Sequence, residues 1–342
     1  MSLFHFHVTQ IKRSAGQSAV ACAAYRAGEK LKSEYYGEVS DYTRKGGVVE
    51  TGIMLPEYVP QNLSDRETLW NEVEKIEKVK KAQLAYSFDF ALQNEFTMEE
   101  NIELAKKFIR EQFVERGMIA DFAIHSPETN GIANPHVHVM CPIRPIEKNG
   151  KWGNKQKRVY ELDRNGERVT DHNDNYIFSA VPTTDWGKPE TLEHWRSEWA
   201  RMCNEKFEEK QLAERIDYRS YERQGVDKIP TVHEGVAVRQ MESKGIKTDK
   251  GDKNRLIKST NALLTEIKYA GKAMKDSGMW TESIYIGGGT PSCLPLETLE
   301  KIFVTLLKYV ELQKLDEFTI EANPEDLTSS FIRLLKKYFI LM

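Results

Sequence analysis

Asn134-Pro135-His136-Val137-His138-Val139 sets two histidines in alternation with valines. Side chains two apart on a β-strand point the same way, so His136 and His138 share one face while Val137 and Val139 take the other. A second strand-like run, Ile119-Ala120-Asp121-Phe122-Ala123-Ile124-His125, ends on a third histidine and groups Asp121, Ala123 and His125 on one side. If the two runs pair antiparallel, three neutral imidazoles converge and leave a position open for substrate. A catalytic divalent metal needs such a donor set. A single histidine on a half-exposed strand often has no chemical role, but three at this spacing point to a metal.

Two further runs share the period of two. In Phe4-His5-Phe6-His7-Val8-Thr9 the apolar residues face away from His5, His7 and Thr9, and in Leu84–Ala91 they face away from Ser87 and Asp89. Four strands with one apolar and one polar face predict an α+β fold: an antiparallel sheet, helices packed on the apolar side and chemistry on the other. Five of the eight histidines fall on that polar surface, which marks it as the working face. Between the strands the sequence predicts a small-residue helix over about 18–32, an irregular glycine-containing segment over 40–55, and a polar helix over about 65–79. A further helix is capped by Thr97 and stopped at Gly117. An amphipathic helix over about 191–211 carries Trp195, Trp199 and Met202 on one stripe, read as core.

The 342 residues can bury a full core and suggest two domains. Charged residues at 30% with 10% aromatic exclude a disordered chain. With a net charge of −3, any nucleic-acid binding must come from a local basic surface. Four scattered cysteines suit reduced thiols in a cytoplasm, and the sequence carries no membrane-spanning apolar run. One local basic stretch is visible: Lys151, Trp152, Lys155, Lys157 and Arg158 interleave cations with rings, the pattern that grips single-stranded nucleic acid.

Val20-Ala21-Cys22-Ala23-Ala24-Tyr25-Arg26-Ala27-Gly28 places a tyrosine among small residues that leave it open to a bulky polymer. On its own that tyrosine reads as packing. Together with Gly16-Gln17-Ser18-Ala19, the histidine strands, Trp195-Arg196, Trp199-Ala200, Arg215-Ile216-Asp217-Tyr218-Arg219-Ser220 and His233-Glu234-Gly235, it resembles the MobA/MobL family of plasmid mobilisation relaxases, HUH endonucleases, over about residues 1–260. The resemblance implies a nuclease that nicks one strand at a transfer origin and stays attached to the 5′ phosphate. Tyr25 would then be the nucleophile, and His125, His136 and His138 would hold a divalent metal, Mg²⁺ or Mn²⁺. Arg26 and the basic stretch would meet the DNA, single-stranded or supercoiled, alongside relaxosome and transfer-machinery proteins. A free tyrosine has a pKa of about 10, so deprotonation at neutral pH costs roughly 4 kcal/mol without help. Many relatives carry Glu-x-Glu where this chain reads Ser87-Phe88-Asp89, which leaves Asp89 or Asp121 as the assisting carboxylate.

Beyond about Asn254 the character changes. Ser283-Ile284-Tyr285-Ile286-Gly287-Gly288-Gly289 runs a strand into a glycine turn, followed by a helix over about 296–310 and a strand over 317–322, a β-α-β unit. The segment 261–342 resembles an internal piece of radical-SAM enzymes of the HemN/HemW family. The cysteine triplet that would hold an iron–sulfur cluster is missing, so a non-functional remnant without a cluster is expected. Two other readings remain open at this point: an origin-binding protein that does not cut, and a metal phosphoesterase that uses water.

Overall fold

The alternating runs form strands, and they pair. The computed structural model describes residues 4–129 and 132–338, so the last four residues of the C-terminal segment lie outside it. It divides into two units, Met1–Tyr218 and Arg219–Met342. In chain order the first unit runs β1 (Phe6–Lys12), α1 (Ala19–Ala27), β2 (Lys30–Lys32), β3 (Val39–Asp41), β4 (Val48–Met54), α2 (Arg66–Ile76) and β5 (Gln83–Ala91). It continues with α3 (Met98–Ile109), β6 (Ala120–His125), β7 (Glu128–Thr129), β8 (Ile132–Ala133), β9 (His136–Pro142), β10 (Gln156–Tyr160), β11 (Phe178–Pro182) and α4 (Pro189–Glu209).

Five strands make one antiparallel sheet in the order β1-β5-β9-β6-β4. On one face Phe6, Phe88, Phe90, Phe122, Val137 and Val139 meet α3 and α4, with the Trp195–Trp199–Met202 stripe buried there as core. Helix α3 begins at a capping box between Thr97 and Glu100 and gives out before Gly117, whose φ of +88° suits glycine. The expectation of helices on a single face needs correcting. Helices α1 and α2 cover part of the polar face, burying Ala23, Ala24, Leu69 and Trp70 against Ala85 and Met140. His136 and His138 stay partly exposed beyond that cover.

Helix α1 is held at its start. Ser18 caps it by accepting from the Ala21 N–H and donates its hydroxyl to Glu74 of α2 at 2.7 Å. Buried Glu74 also accepts from Ser33 and places a carboxylate at the positive end of α1. The helix stops at Gly28, with φ of +69°, earlier than the expected end near Lys32.

The fifth strand, β4, falls within the segment read from sequence as irregular. Its Val-Val-Glu-Thr-Gly-Ile-Met lacks clean alternation because Gly52 lies under the ring of Phe122, its partner in register. A Cβ at Gly52 would come within 2.9 Å of that ring, so a strand glycine here marks close approach rather than a turn.

The second unit contains α5 (Val236–Ser243), α6 (Asp249–Asp276), β12 (Ser283–Ile286), α7 (Leu296–Leu307), β13 (Glu317–Ile320) and α8 (Ser329–Lys337). Helix α6 runs unbroken through the point where the sequence changes character. Its Asn254 and Asn261 side chains bond the backbone of Val232 and Ile229, laying that extended segment along the helix. Strands β12 and β13 pair in parallel, as the β-α-β reading requires. Phe303, Phe318, Ile320 and Phe331 form its core. Among the described residues no helix is long and apolar enough to cross a membrane, and all four cysteines are free thiols.

Gly52→Ala should destabilise the first unit by about 1–3 kcal/mol, because Phe122 is too buried to swing aside. Denaturant unfolding of the two proteins checks this, and equal midpoints would refute the close-approach reading.

Candidate active site

Strand register assembles the histidines. In the β6–β9 pair His125 lies opposite His136 and Ala123 opposite His138, so the three imidazoles meet on one face. Ring centroids are 5.3, 4.9 and 4.8 Å apart, with neighbouring planes steeply crossed. One nitrogen from each ring lies within 4.8 Å of the others, and among the described residues this is the one cluster able to hold a metal ion. His5 and His7 do not join it.

Hydrogen bonds select which nitrogens are available. A carbonyl can only accept, so the His125 Nε2–H donates to the Arg26 carbonyl at 2.6 Å and leaves Nδ1 with a lone pair. By the same logic His136 Nδ1–H donates to the Asn134 carbonyl at 2.7 Å and frees Nε2. Asp89 lies opposite His138 in register, its carboxylate 3.9 Å from Nδ1, which leaves Nε2 on the far side of that ring. Burial pushes the His125 pKa down to about 4 and that of His138 to about 2, helped by neighbouring His136, Arg26 and Lys45. Both rings are therefore neutral near pH 7, the form a metal requires. Three converging imidazoles, two of them oriented by hydrogen bonds to backbone carbonyls, fit a divalent cation.

The bond from His125 to Arg26 also links the cluster to α1. The preceding residue is Tyr25, whose ring is 49% exposed yet held on two sides. Tyr42 meets it edge-on at 5.2 Å. The ammonium of Lys45 sits 4.0 Å from the ring centroid and donates to the Tyr25 carbonyl at 2.8 Å. Arg26 reaches the Ser87 hydroxyl at 2.8 Å and the Cys22 carbonyl at 3.0 Å, while its Nε–H has no partner among the described residues.

Asp121, expected as a candidate carboxylate for the site, is held by α2 and not by the histidine cluster. Its carboxylate accepts from Arg66 Nη2 at 2.8 Å and from Trp70 Nε1 at 2.7 Å, buried beneath α2. Burial pushes that carboxyl up while Arg66 and Trp70 hold it down. The expected DNA contacts also divide. Lys157 and Arg158 are both exposed on the β10–β11 ribbon, on its opposite faces, and Lys151 is exposed on the turn before it. Trp152 bonds Glu72, and Lys155 is taken by Glu77, so both tether that region to the body. Sequence reading missed Arg168, stacked 4.0 Å from the Tyr160 ring, and Phe178, which lies 4.6 Å from Arg158. It also missed Lys45. Lys45 carries no local signal in the sequence.

Two outcomes follow from this geometry. Asp121→Asn leaves buried Arg66 with Glu29 as its remaining carboxylate partner and should cost about 3 kcal/mol of stability, while the Mn²⁺ affinity of the folded protein stays within about threefold. A large affinity loss at unchanged stability would return Asp121 to the site. In metal-free protein, His125 and His138 refuse protons that the unfolded chain takes up below about pH 6.5. Stability should therefore be full above that pH and fall as pH drops toward 4, by up to about 1.4 kcal/mol per unit for each group. Thermal melts of wild type and of a His125→Asn/His138→Asn double variant check the sign, and equal pH slopes would refute it.

Comparison with known proteins agrees with this architecture. The MobA/MobL family model matches residues 17–244. The chain is 34% identical over 284 residues to a probable mobilization protein MobA of Bifidobacterium longum, covering 79% of this chain and 49% of that one. It is 31% identical over 264 residues to a conjugal transfer protein TraA of Agrobacterium fabrum, covering 73% and 23%. The chain thus spans about half or less of these relatives. A solved structure described as "Molecular Basis of Vancomycin Resistance Transfer in Staphylococcus aureus" superposes with a TM-score of 0.53 at 30% identity, over 64% of this chain and 100% of that one. A separate stretch of 53 residues is 47% identical to the heme chaperone HemW of Lactococcus lactis, 16% of this chain and 14% of that one. The radical-SAM resemblance rests on matches of that length. With two thirds of its residues under the family model, the chain belongs to the MobA/MobL family.

Proposed function

We propose that this chain is a relaxase: it cuts one DNA strand at a plasmid transfer origin by attack of Tyr25, with His125, His136 and His138 holding a divalent cation beside the scissile phosphate. The observation that carries this reading is the 2.6 Å bond from the His125 ring to the Arg26 carbonyl. It ties the metal-competent cluster to the residue next to an exposed phenol.

In the reaction the Tyr25 oxygen bonds to phosphorus as the bond to the 3′-oxygen breaks. The phenol gives up one proton, and the departing 3′-oxygen gains one. The 5′ end is then a phosphodiester of tyrosine, so the strand can be rejoined by the reverse attack without ATP. A cation such as Mg²⁺ or Mn²⁺ would neutralise charge on the phosphate oxygens and orient them for in-line displacement. Asp89 orients the His138 ring. Arg26, anchored by Ser87, offers its charge to the phosphate. Lys151, Lys157 and Arg158 take the backbone of the approaching single strand, while the Tyr160 and Phe178 rings offer stacking surfaces. Origin DNA and the other proteins of the transfer machinery are the partners this reading requires.

The test uses supercoiled plasmid carrying the region that flanks this gene, incubated with protein and Mn²⁺ and quenched in detergent. The expected product is a nicked circle with protein on its 5′ end, lost in EDTA and reduced at least about 1,000-fold in Tyr25→Phe. A specific complex without a nick would favour the non-cleaving origin binder. Nicking that survives Tyr25→Phe would favour hydrolysis by water.

A further inference from the structure

Tyr25 presents a contradiction that the reaction alone does not explain. Its ring is half exposed, a state that normally leaves a side chain free to sample rotamers, yet it is clamped. The clamp comes from the loop between β3 and β4. That loop closes on itself through the Lys45 N–H and the Tyr42 carbonyl, at 2.9 Å. It is pinned at both ends: the Tyr42 N–H bonds the Glu29 carbonyl just past α1, and the Gly47 carbonyl accepts from the Ser126 N–H, one residue beyond His125. Gly47 has φ of +80° and lies against Pro127, so a side chain there would be strained. The loop is thus referenced to α1 and to the metal-competent strand together, and it delivers Tyr42 and Lys45 to the Tyr25 ring.

Lys45 is the unusual member. A lysine normally reaches for a carboxylate, but none pairs with Lys45 among the described residues. Its neighbours are instead the ring and carbonyl of Tyr25 and the like charge of Arg26. Burial, then Arg26, lowers its pKa to about 8, which still leaves it largely cationic near neutrality. A half-buried cation with no carboxylate partner among the described residues is placed for an anion that arrives later.

We infer that Lys45 is a positioning residue for strand transfer, fixing the Tyr25 ring and setting a positive charge beside it that favours the phenolate as the phenol gives up its proton for attack. This rests on the reading of Tyr25 as nucleophile. The ammonium stays bonded to the Tyr25 carbonyl throughout and neither gives nor takes the phenol's proton.

The experiment compares wild type, Lys45→Met, Lys45→Arg and Tyr25→Phe, as full-length chains with Mn²⁺. The probe is a set of single-stranded oligonucleotides tiled across the region flanking this gene. Single-turnover formation of the covalent adduct gives the attack rate, and fluorescence anisotropy gives binding. Lys45→Met should slow attack about 30-fold with Kd unchanged within about threefold, and Lys45→Arg should recover most of the rate. Attack at the wild-type rate in Lys45→Met would overturn the inference. So would a loss confined to Kd, which would make Lys45 a plain phosphate contact. A second readout needs no DNA. With lysines ¹³C-dimethylated, Lys45 should give a resonance shifted upfield by the Tyr25 ring and lost in a Tyr25→Ala variant, and absence of that shift would overturn the contact itself. If wild type forms no adduct on any oligonucleotide, the nuclease reading fails, and the resonance still decides whether Lys45 holds the ring.

Discussion

Everything at the candidate site depends on the register between β6 and β9. Because side chains alternate along a strand, a slip of one residue would send His136 and His138 into the apolar layer and bring Val137 and Val139 out. The register is fixed from the opposite face. Phe122 and Val139 are directly paired, and both are buried with Phe88, Phe90, Trp195 and Trp199. The aromatic packing beneath α3 and α4 therefore aims the imidazoles on the opposite face of the sheet. A hydrophobic core is here the positioning device for a polar site.

The second requirement is to bring α1 to the histidines. Three contacts share that task at different points along the helix. Glu74 receives the Ser18 cap at the start, the His125 ring bonds the Arg26 carbonyl near the end, and the Lys45 loop closes over Tyr25. A nine-residue helix of mostly small side chains has little packing of its own to fix its position. Small residues let α1 lie close to the sheet, and the directional bonds then set its angle and its depth.

The histidine cluster was legible in the sequence because it obeys a local rule: a period of two on adjacent strands needs no knowledge of distant residues. The four alternating strands and the Trp195–Trp199 stripe were legible for the same reason. What was not legible depended on partners far away in the chain. Asp121 looks like a site carboxylate until Arg66 and Trp70, more than fifty residues earlier, claim it. Strand β4 looks irregular until Phe122 is laid over Gly52. Trp152 and Lys155 read as DNA contacts by composition, but composition cannot separate a cation facing solvent from one held by Glu77.

The same sorting explains how a chain with a net charge of −3 can present a basic site. Its acids near the sheet are largely committed: Glu74 to the caps of α1 and its neighbours, Glu77 to Arg144 and Lys155, Asp121 to Arg66. Each is buried, and each is satisfied by donors inside the fold. Beside Tyr25, by contrast, stand Arg26 and Lys45, and the side-chain partner that Arg26 finds across the sheet is the hydroxyl of Ser87. Net charge counts all of these alike, whereas an approaching polyanion meets only those whose fields are not cancelled by a near neighbour. Acidic bulk and a locally cationic nucleophile helix are therefore compatible. The residue that matters most for that balance is Ser87, whose hydroxyl bonds the guanidinium beside Tyr25 without adding a negative charge.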